Sequence, residues 1–248
     1  KIDGNKANIL TIDADGKNEK SLTNEDGYNS QAVVSPDGRF IVYASTRTKF
    51  YSIWRIDADG KNPFQLTAPE NAYDSKPVIL DDNKTIIFER RSNDFTKSTL
   101  MKVSLEGGEA KQIFQQEAPL QMFPRLASDG KQFAFSTMEY DKANIKFNRA
   151  VKVFSISGGE IGELKKKFDL SLGYYYQFSP DSKNLTYINQ QGIPNLHNLP
   201  LDGTSQKPLT NFNSGHILNF SWSKDGKKIY LVRGIINNEL VLMKNNAK

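Results

Sequence analysis

The sequence predicts an all-β fold, a β-propeller whose blades are four-stranded antiparallel sheets. Three observations lead to this prediction. A turn motif recurs at nearly regular spacing, strand-like segments flank every copy of it, and each copy is followed by a short terminal segment such as "FQLT" at 64–67 or "KPLT" at 207–210. Repeats of about 45 residues with four strands each are typical of propellers.

The turn motif is seen most clearly as "SPDG" at 35–38. Its aspartate recurs at intervals of 45, 47, 52 and 44 residues, as Asp37, Asp82, Asp129, Asp181 and Asp225. An Asp-Gly pair between two alternating segments predicts a β-hairpin with a type I′ turn, which requires positive φ at both central residues. Each copy therefore predicts the hairpin between the first and second strands of a blade.

The second strand of each repeat alternates with a period of two residues. The five segments are "FIVYAS", "TIIFER", "QFAFST", "NLTYIN" and "KIYLVR". Such alternation is typical of half-buried strands. It places two apolar positions of each repeat on one face: Ile41, Ile86, Phe133, Leu185 and Ile229, followed by Tyr43, Phe88, Phe135, Tyr187 and Leu231.

A single four-stranded sheet cannot cover both of its faces, and its edges stay open. Radial stacking solves this problem because each blade covers the faces of its neighbours. We therefore expect one propeller domain over 1–248, with blade repeats at about 1–26, 27–67, 68–114, 115–168, 169–210 and 211–248.

The strand counts are uneven, with six third strands but five hairpins and five fourth strands. The chain begins just before a third strand at Asn8 and ends just after one at Met243. We expect a six-bladed ring with an incomplete N-terminal blade, completed by strands upstream of Lys1. A five-bladed ring is the alternative, and a larger ring cut short stays open. Because the first residue is Lys, we also expect a processed or excised piece of a longer protein.

The "SPDG" turns and "LT" endings resemble the TolB-like propellers of bacteria. The last third, from "GIPNLHNLPLDG" to "RGIINNELVLM", resembles propellers appended to bacterial serine/threonine kinases and winged-helix regulators. His197 and Met243 depart from that pattern, where Trp and Ile are usual. The resemblance implies a kinase, winged-helix or anchor segment upstream and a periplasmic or extracytoplasmic location, with a cytoplasmic one left open. It carries no catalytic residue. The positions that match are Gly192, Asn195, Pro200, Leu201, Asp202, Gly203, Thr210, Asn211, Phe212, Trp222, Asp225, Gly226, Arg233, Gly234, Val241 and Leu242.

Composition excludes several classes of chemistry. Cysteine is absent, which excludes disulfides, thiolate metal sites and cysteine nucleophiles. The net charge is +5, and the one tight basic run, 165–167, is interpreted as a solvated surface rather than a nucleic-acid groove. No apolar run is long enough to insert into a membrane. No G-x-S-x-G elbow, phosphate loop or kinase motif occurs.

Metal and cofactor sites are not predicted. The chain has two histidines, His197 and His216, too few for a zinc site without several carboxylates. "DADGKN" at 13–18 and 57–62 resembles a calcium loop, but position twelve is Asn24 or Ala68 instead of Glu. We interpret both copies as tight turns between third and fourth strands, with Asp and Gly selected for positive φ.

A carboxylate pair for sugar cleavage is not predicted either. Asp81, Asp82 and Glu89 lie close in sequence, and glycoside hydrolysis needs two carboxylates across a bound sugar. Asp82, however, occupies the turn position of its repeat, so its expected role is to form the hairpin.

The predicted binding surface is the channel-mouth face, where second strands end and first strands begin. Arg90 and Arg233 occupy equivalent positions there, with Arg47 and Arg91 nearby, and together they predict a basic rim for carboxylates or phosphates. The alternative is isolated surface arginines paired with acids. The links carry six ring side chains, typical of interface hot spots or of simple channel caps: Tyr28, Tyr73, Phe123, Tyr174, Tyr175 and His216. The longest loop on this face spans 139–150.

The function favoured by these features is a non-catalytic ligand- or protein-binding and sensing propeller within a larger bacterial envelope or signalling protein. Its partner is expected to be a protein or a small anionic ligand on the channel-mouth face. Two alternatives stay open: a glycan-cleaving or peptidase-associated propeller enzyme, and a bare scaffold that joins other domains.

Overall fold

The computed structural model describes residues 2–3, 6–13, 15–24, 26–116, 122–141, 146–157, 160–169, 175–223 and 225–235. The chain forms two compact units, Lys1–Ser171 and Leu172–Lys248, which we call unit 1 and unit 2. Within the described ranges no helix is long and apolar enough to cross a membrane.

Unit 1 begins with short paired strands. Strand β1 (Ile2–Asp3) pairs with β2 (Lys6–Ala7), and β3 (Leu10–Thr11) pairs with β4 (Lys20–Ser21). The pair β3–β4 occupies the third- and fourth-strand positions that the sequence predicts for an incomplete first blade.

Three complete antiparallel blades follow in unit 1, and in each of them sequential strands are neighbours. The second blade contains β5 (Asn29–Val34), β6 (Phe40–Thr48), β7 (Phe50–Asp57) and β8 (Phe64–Gln65). The third contains β9 (Ala72–Ile79), β10 (Thr85–Ser92), β11 (Ser98–Ser104) and β12 (Lys111–Gln116). The fourth contains β13 (Arg125–Leu126), β14 (Gln132–Asp141), β15 (Lys146–Ser157) and β16 (Glu160–Asp169).

Unit 2 holds one complete blade and one hairpin. The fifth blade contains β17 (Tyr176–Phe178), β18 (Asn184–Asn189), β19 (Asn195–Pro200) and β20 (Lys207–Pro208). The hairpin pairs β21 (His216–Trp222) with β22 (Ile229–Gly234). Four complete four-stranded sheets are therefore described. The count of six blades stays a prediction, and the last predicted strand at 239–245 lies outside the described residues.

The recurring turn combines a backbone hydrogen bond, from the Gly38 N–H to the Ser35 carbonyl at 2.8 Å, with side-chain hydrogen bonds, and the predicted type I′ geometry is wrong. Of the four residues 35–38, only Gly38 has positive φ, at 74°. The Ser35 hydroxyl donates to Asp37 Oδ1 at 2.6 Å, and the same oxygen accepts the Arg39 N–H at 3.1 Å. Aspartate is therefore present as a local acceptor rather than for its own positive φ. Asp181 and Asp225 accept the equivalent bonds in unit 2.

The threonine of each "LT" ending has an equally local role. Thr67 Oγ1 accepts the Ile53 N–H at 2.9 Å, and Thr210 Oγ1 accepts the Leu196 N–H at 2.9 Å. The short fourth strand turns away here, and the hydroxyl completes the pairing of a third-strand N–H that burial would otherwise penalise.

The second strands of the four complete blades are buried on both faces, which corrects the expectation of half-buried strands there. In β22 of the hairpin, by contrast, Tyr230 and Val232 are exposed, as half-burial predicts. In β6, Tyr43 packs with Leu22 of the first blade, whereas Val42 packs with Ile86 and Phe88 of the third. Phe133 of the fourth blade in turn packs against the opposite face of the third. Blade-on-blade stacking therefore forms the core of unit 1, as the repeat predicts. In unit 2 the fifth blade packs on the hairpin in the same way.

Candidate functional site

The predicted arginines lie where second strands end, but the protein itself engages their guanidinium groups. Arg90, at the end of β10, faces Asp74 across the β9–β10 ladder. Its Nε and Nη2 donate to the two Asp74 carboxylate oxygens at 2.7 and 2.8 Å. Asp74 is fully buried, and its hydrogen bond raises the pKa of Arg90. This bidentate pair lies at the end of the blade and occupies two of the guanidinium nitrogens with which Arg90 could bind an anion.

Arg47 and Arg233 are held by stacking as well as hydrogen bonds. The Arg47 guanidinium lies 4.3 Å from the Trp54 ring centroid, and its Nη2 donates to the Tyr43 hydroxyl at 2.6 Å. In unit 2, the Arg233 guanidinium lies 3.6 Å from the Phe212 centroid and donates to the Ser214 carbonyl at 2.6 Å. Both arginines therefore brace the strand ends on which they lie.

Three aromatic rings form a continuous chain of ring contacts in unit 1, which we call the aromatic ladder: Phe50, Tyr73 and Phe95. The Phe50 and Tyr73 centroids are 5.5 Å apart in an edge-on arrangement, and Tyr73 stacks on Phe95 at 5.5 Å with 4° between the planes. Lys49 lies over one end, 5.1 Å from the Phe50 centroid, and Arg91 over the other, 4.7 Å from the Phe95 centroid. The ladder is a partly exposed apolar surface with a cation at each end.

The turns that carry the ladder have unusual backbone geometry. Lys49 has φ 80° and Phe95 has φ 59°, a region that bulky residues rarely adopt. Asp94 Oδ1 organises the second turn by accepting from the Ser92 hydroxyl and the Thr96 N–H, and the Ser92 bond leads the contributions that lower the pKa of Asp94 to about 2. Left-handed backbone at a bulky residue costs about 1–3 kcal/mol and points to a functional constraint. Phe95 is 46% exposed, and the turn holds its ring against Tyr73 at the cost of this backbone strain.

A second buried ion pair lies on the opposite face of the third blade. Lys76 Nζ is 2.6 Å from Glu89 Oε2, and Glu89 Oε1 accepts the Met122 N–H at 3.1 Å. Burial lowers the pKa of Lys76, whose ammonium also lies 4.3 Å from the Phe123 ring centroid. Phe123 therefore packs against this pair. Glu89 is fully buried and committed to two bonds, an arrangement that does not favour an acid–base role.

The other predicted ring residues are separate from the ladder in the described contacts. Tyr28 is 37% exposed, and its N–H donates to the Thr46 hydroxyl at 2.9 Å. Tyr175, 39% exposed, and the exposed His216 lie in unit 2. Tyr174 lies outside the described residues. Of the predicted set, the structure brings together Tyr73 and Arg91.

Sequence reasoning missed Phe50, Phe95 and Lys49. Phe50 and Phe95 are separated by 45 residues, the same interval that separates Asp37 from Asp82. The two phenylalanines therefore occupy one repeat position at the second-to-third turn, and this recurrence was the available signal.

Two larger cavities border the described sheets. One of about 570 Å³ lies in unit 1 and is lined by Thr67, Arg90 and Glu109 among others. One of about 440 Å³ lies in unit 2. No group of three or more histidine or carboxylate side chains is placed to hold a metal in the part of the chain that the structure describes. The "DADGKN" copies form turns in which Gly16 and Gly60 have positive φ and Asp15 and Asp59 accept backbone N–H bonds.

Comparison with known proteins shows relationships at the level of the fold. No family model matches the chain. It is 26% identical over 136 residues to an uncharacterized protein of Agrobacterium fabrum, an alignment covering 51% of this chain and 46% of that protein. The chain thus spans about half the length of the curated relative it matches.

Three solved structures illustrate the likeness. TolB from Acinetobacter baumannii superposes with a TM-score of 0.66 and 18% identity, covering 89% of this chain and 52% of that one. An oligogalacturonate lyase from Vibrio parahaemolyticus superposes with a TM-score of 0.63 and 16% identity, covering 92% of this chain and 65% of the lyase. A puromycin-hydrolyzing peptidase of Mycobacterium tuberculosis superposes with a TM-score of 0.61 and 16% identity, covering 88% of this chain and 38% of the peptidase. These neighbours include enzymes, so the shared fold does not decide whether this chain catalyses a reaction. Together with the four-stranded blades, the likeness shows that the chain has the fold of the TolB-like β-propellers.

Proposed function

We propose that this propeller is a non-catalytic binding module that takes a protein partner on the aromatic ladder. The observation that carries the proposal is the stack of Phe50, Tyr73 and Phe95, capped by two cations and held by a strained turn. Tryptophan, tyrosine and arginine are the residue types most enriched at interface hot spots, and phenylalanine is enriched in interfaces as a whole. A backbone cost that positions a partly exposed ring is more readily explained by binding than by folding.

The two cations favour a partner of particular chemistry. Lys49 and Arg91 lie over the outer rings and present positive charge at both ends of an apolar strip. An extended protein segment with apolar side chains between acidic ones is complementary to this pattern, because opposite charges at the rim guide docking and fix register. A small anionic ligand matches the cations but leaves the rings uncovered.

The environment of the buried carboxylates supports a binding role. Asp74 forms an ion pair with Arg90, and Glu89 forms one with Lys76. Both carboxylates are at 0% exposure. The enzyme alternative rests on the fold shared with a lyase and a peptidase. Incubating the chain with oligogalacturonate and with aminoacyl-arylamide substrates tests it, and turnover abolished by a point substitution contradicts the proposal.

The cellular setting is part of the proposal. The sequence resemblance favours a place in a larger envelope or signalling protein on the extracytoplasmic side. Fractionation of cells carrying an epitope tag on the whole gene product tests this, and a tag recovered only with cytoplasmic proteins contradicts it.

Capture of a partner by crosslinking from envelope extract tests the ladder. Phe95→Asn removes the outer ring but suits the left-handed backbone, so the fold is retained. Phe64→Asn is the matched control, because Phe64 is 42% exposed and also lies near an arginine, 5.1 Å from Arg55. We expect Phe95→Asn to lose a discrete partner that the wild type and Phe64→Asn retain. Equal capture by all three proteins contradicts the proposed site, and loss in both variants marks a non-specific effect and also counts against it.

A further inference from the structure

The cavity of about 440 Å³ in unit 2 is lined mainly by polar side chains. It lies between the fifth blade and the hairpin β21–β22, and its wall includes Asp181, Asn184, Asn198, Trp222 and Asp225. Its volume falls within the range of small-molecule sites, about 300–1,000 Å³. Small-molecule sites typically combine apolar walls with a few fixed polar groups.

A buried hydrogen-bond relay fixes one of these groups. Trp222 Nε1 donates to Thr186 Oγ1 at 3.1 Å, and Thr186, fully buried, donates its hydroxyl proton to Asn198 Oδ1 at 2.6 Å. The indole N–H donates to a lone pair of the hydroxyl oxygen, which leaves the hydroxyl proton for the Asn198 carbonyl. The Asn198 carbonyl is therefore occupied, and its Nδ2 donates to no other residue in the described part of the chain. Asn198 presents a pre-oriented donor at the cavity wall.

Asp225 supplies the complementary acceptor. Its Oδ1 accepts from the Ser223 hydroxyl at 2.6 Å and the Lys227 N–H at 3.1 Å, and the Ser223 bond leads the contributions that lower the pKa of this carboxyl. Within the described ranges, Oδ2 accepts no hydrogen bond.

Two equivalent turns in unit 1 have the outer oxygen satisfied. Asp37 Oδ2 accepts from Arg39 Nε at 2.7 Å, and Asp82 Oδ2 accepts from the Thr85 hydroxyl at 2.7 Å. Asp225 differs from these two aspartates in keeping an unused oxygen, at the wall of a cavity.

We infer that this cavity binds a neutral saccharide unit. A sugar hydroxyl both accepts and donates, so neighbouring hydroxyls can accept from Asn198 Nδ2 and donate to Asp225 Oδ2. The Trp222 side chain provides an aromatic wall for the apolar C–H face of the ring. Asp181 and Asp225 are both ionised at neutral pH, because hydrogen bonds led by Ser179 and Ser223 lower their pKa values, and they disfavour a uronic acid. The site is independent of the aromatic ladder.

Ligand-observed NMR and calorimetry on the whole chain test the inference. The probes are methyl β-glucopyranoside, methyl β-galactopyranoside and N-acetylglucosamine, with galacturonate as the anionic comparator. We expect at least one neutral probe to bind with a Kd on the order of 1 mM or lower. Galacturonate is expected to bind at least about tenfold more weakly.

Two substitutions locate the binding. Asn198→Asp keeps an acceptor for Thr186 but removes the donor, so we expect about a tenfold or greater loss of affinity. Asp37→Asn, in the equivalent turn of unit 1, is the matched control and leaves binding unchanged. Thermal unfolding verifies that both variants are folded. The inference is overturned if no neutral probe binds, if Asn198→Asp binds like wild type, if Asp37→Asn loses as much, or if galacturonate binds more tightly than every neutral probe.

Discussion

Arg90 in unit 1 and Arg233 in unit 2 occupy the same position of the repeat in very different surroundings. Arg90 lies opposite a buried aspartate, Asp74, whereas Arg233 lies opposite Ile217. Arg90 therefore neutralises a charge inside a blade, while Arg233 is exposed and rests on Phe212. The comparison teaches that a repeat fixes where the backbone places a residue, and the facing strand decides the role of the side chain.

The largest expected effect comes from breaking this comparison at Arg90. Arg90→Ala leaves Asp74 as an uncompensated buried charge, and we expect a loss of about 3–5 kcal/mol in the free energy of unfolding. Arg233→Ala removes an exposed group and is expected to cost less than about 1 kcal/mol. Urea unfolding of both variants measures the difference. The double variant Arg90→Met with Asp74→Leu is the control and recovers much of the loss; similar losses at Arg90 and Arg233 contradict the assignment.

A smaller effect is expected at the threonines that close the third strands. Thr67→Val leaves a buried Ile53 N–H without its acceptor, and we expect a loss of about 1–3 kcal/mol in unfolding free energy. Thr210→Val breaks the same bond in unit 2 and also removes the hydroxyl that donates to Asn195 Oδ1 at 2.8 Å, but this site is only partly buried and water can replace the hydroxyl, so the loss is smaller. Chemical denaturation ranks the two variants, and a larger loss at Thr210 contradicts the view that burial sets the cost of losing this hydroxyl.

The ladder separates stability from binding. Phe95→Asn gives up ring stacking but relieves the left-handed strain, so we expect the unfolding free energy to change by less than about 1 kcal/mol while partner capture is lost. Differential scanning calorimetry checks the first part. A large destabilisation assigns the ring to the fold instead of to binding.

The smallest expected effect concerns the stability of the fold at acidic pH. Hydrogen bonds led by the one from Ser35 lower the pKa of Asp37 to about 2 in the folded chain. Since its folded pKa lies below the unfolded value near 3.9, this group stabilises the fold above pH 4 and loses that contribution as the pH falls towards 2. Asp37→Asn is expected to unfold with a shallower pH dependence over this window, measured by circular dichroism. An identical acid profile in the two proteins contradicts the role of Asp37 in the turn.

Local pattern explains what the sequence could predict. The spacing of Asp37 and its equivalents predicted the hairpins, and the alternation around Tyr43 predicted the second strands, because both depend on near neighbours along the chain. The type I′ turn was wrong because the tight turn spans 35–38, where the Gly38 N–H donates to the Ser35 carbonyl at 2.8 Å and Pro36 requires negative φ, so positive φ occurs at Gly38 alone.

The site was less predictable because its contacts span blades or facing strands. The arginines were found by position, yet the residue that faces them differs between blades, with Asp74 opposite Arg90 and Ile217 opposite Arg233. The ladder joins Phe50 of the second blade to Tyr73 of the third, a contact that exists only once the blades stack.

Site-specific photo-crosslinking in living cells tests the central claim most directly. A photoreactive phenylalanine analogue replaces Lys49 at the end of the ladder, and another replaces Lys61, an exposed lysine in the turn between β7 and β8. We predict a discrete protein adduct from position 49, abolished by Phe95→Asn, and none from position 61. Identical adduct patterns from the two positions, or an adduct at 49 that persists in Phe95→Asn, would show that the ladder is not the binding surface.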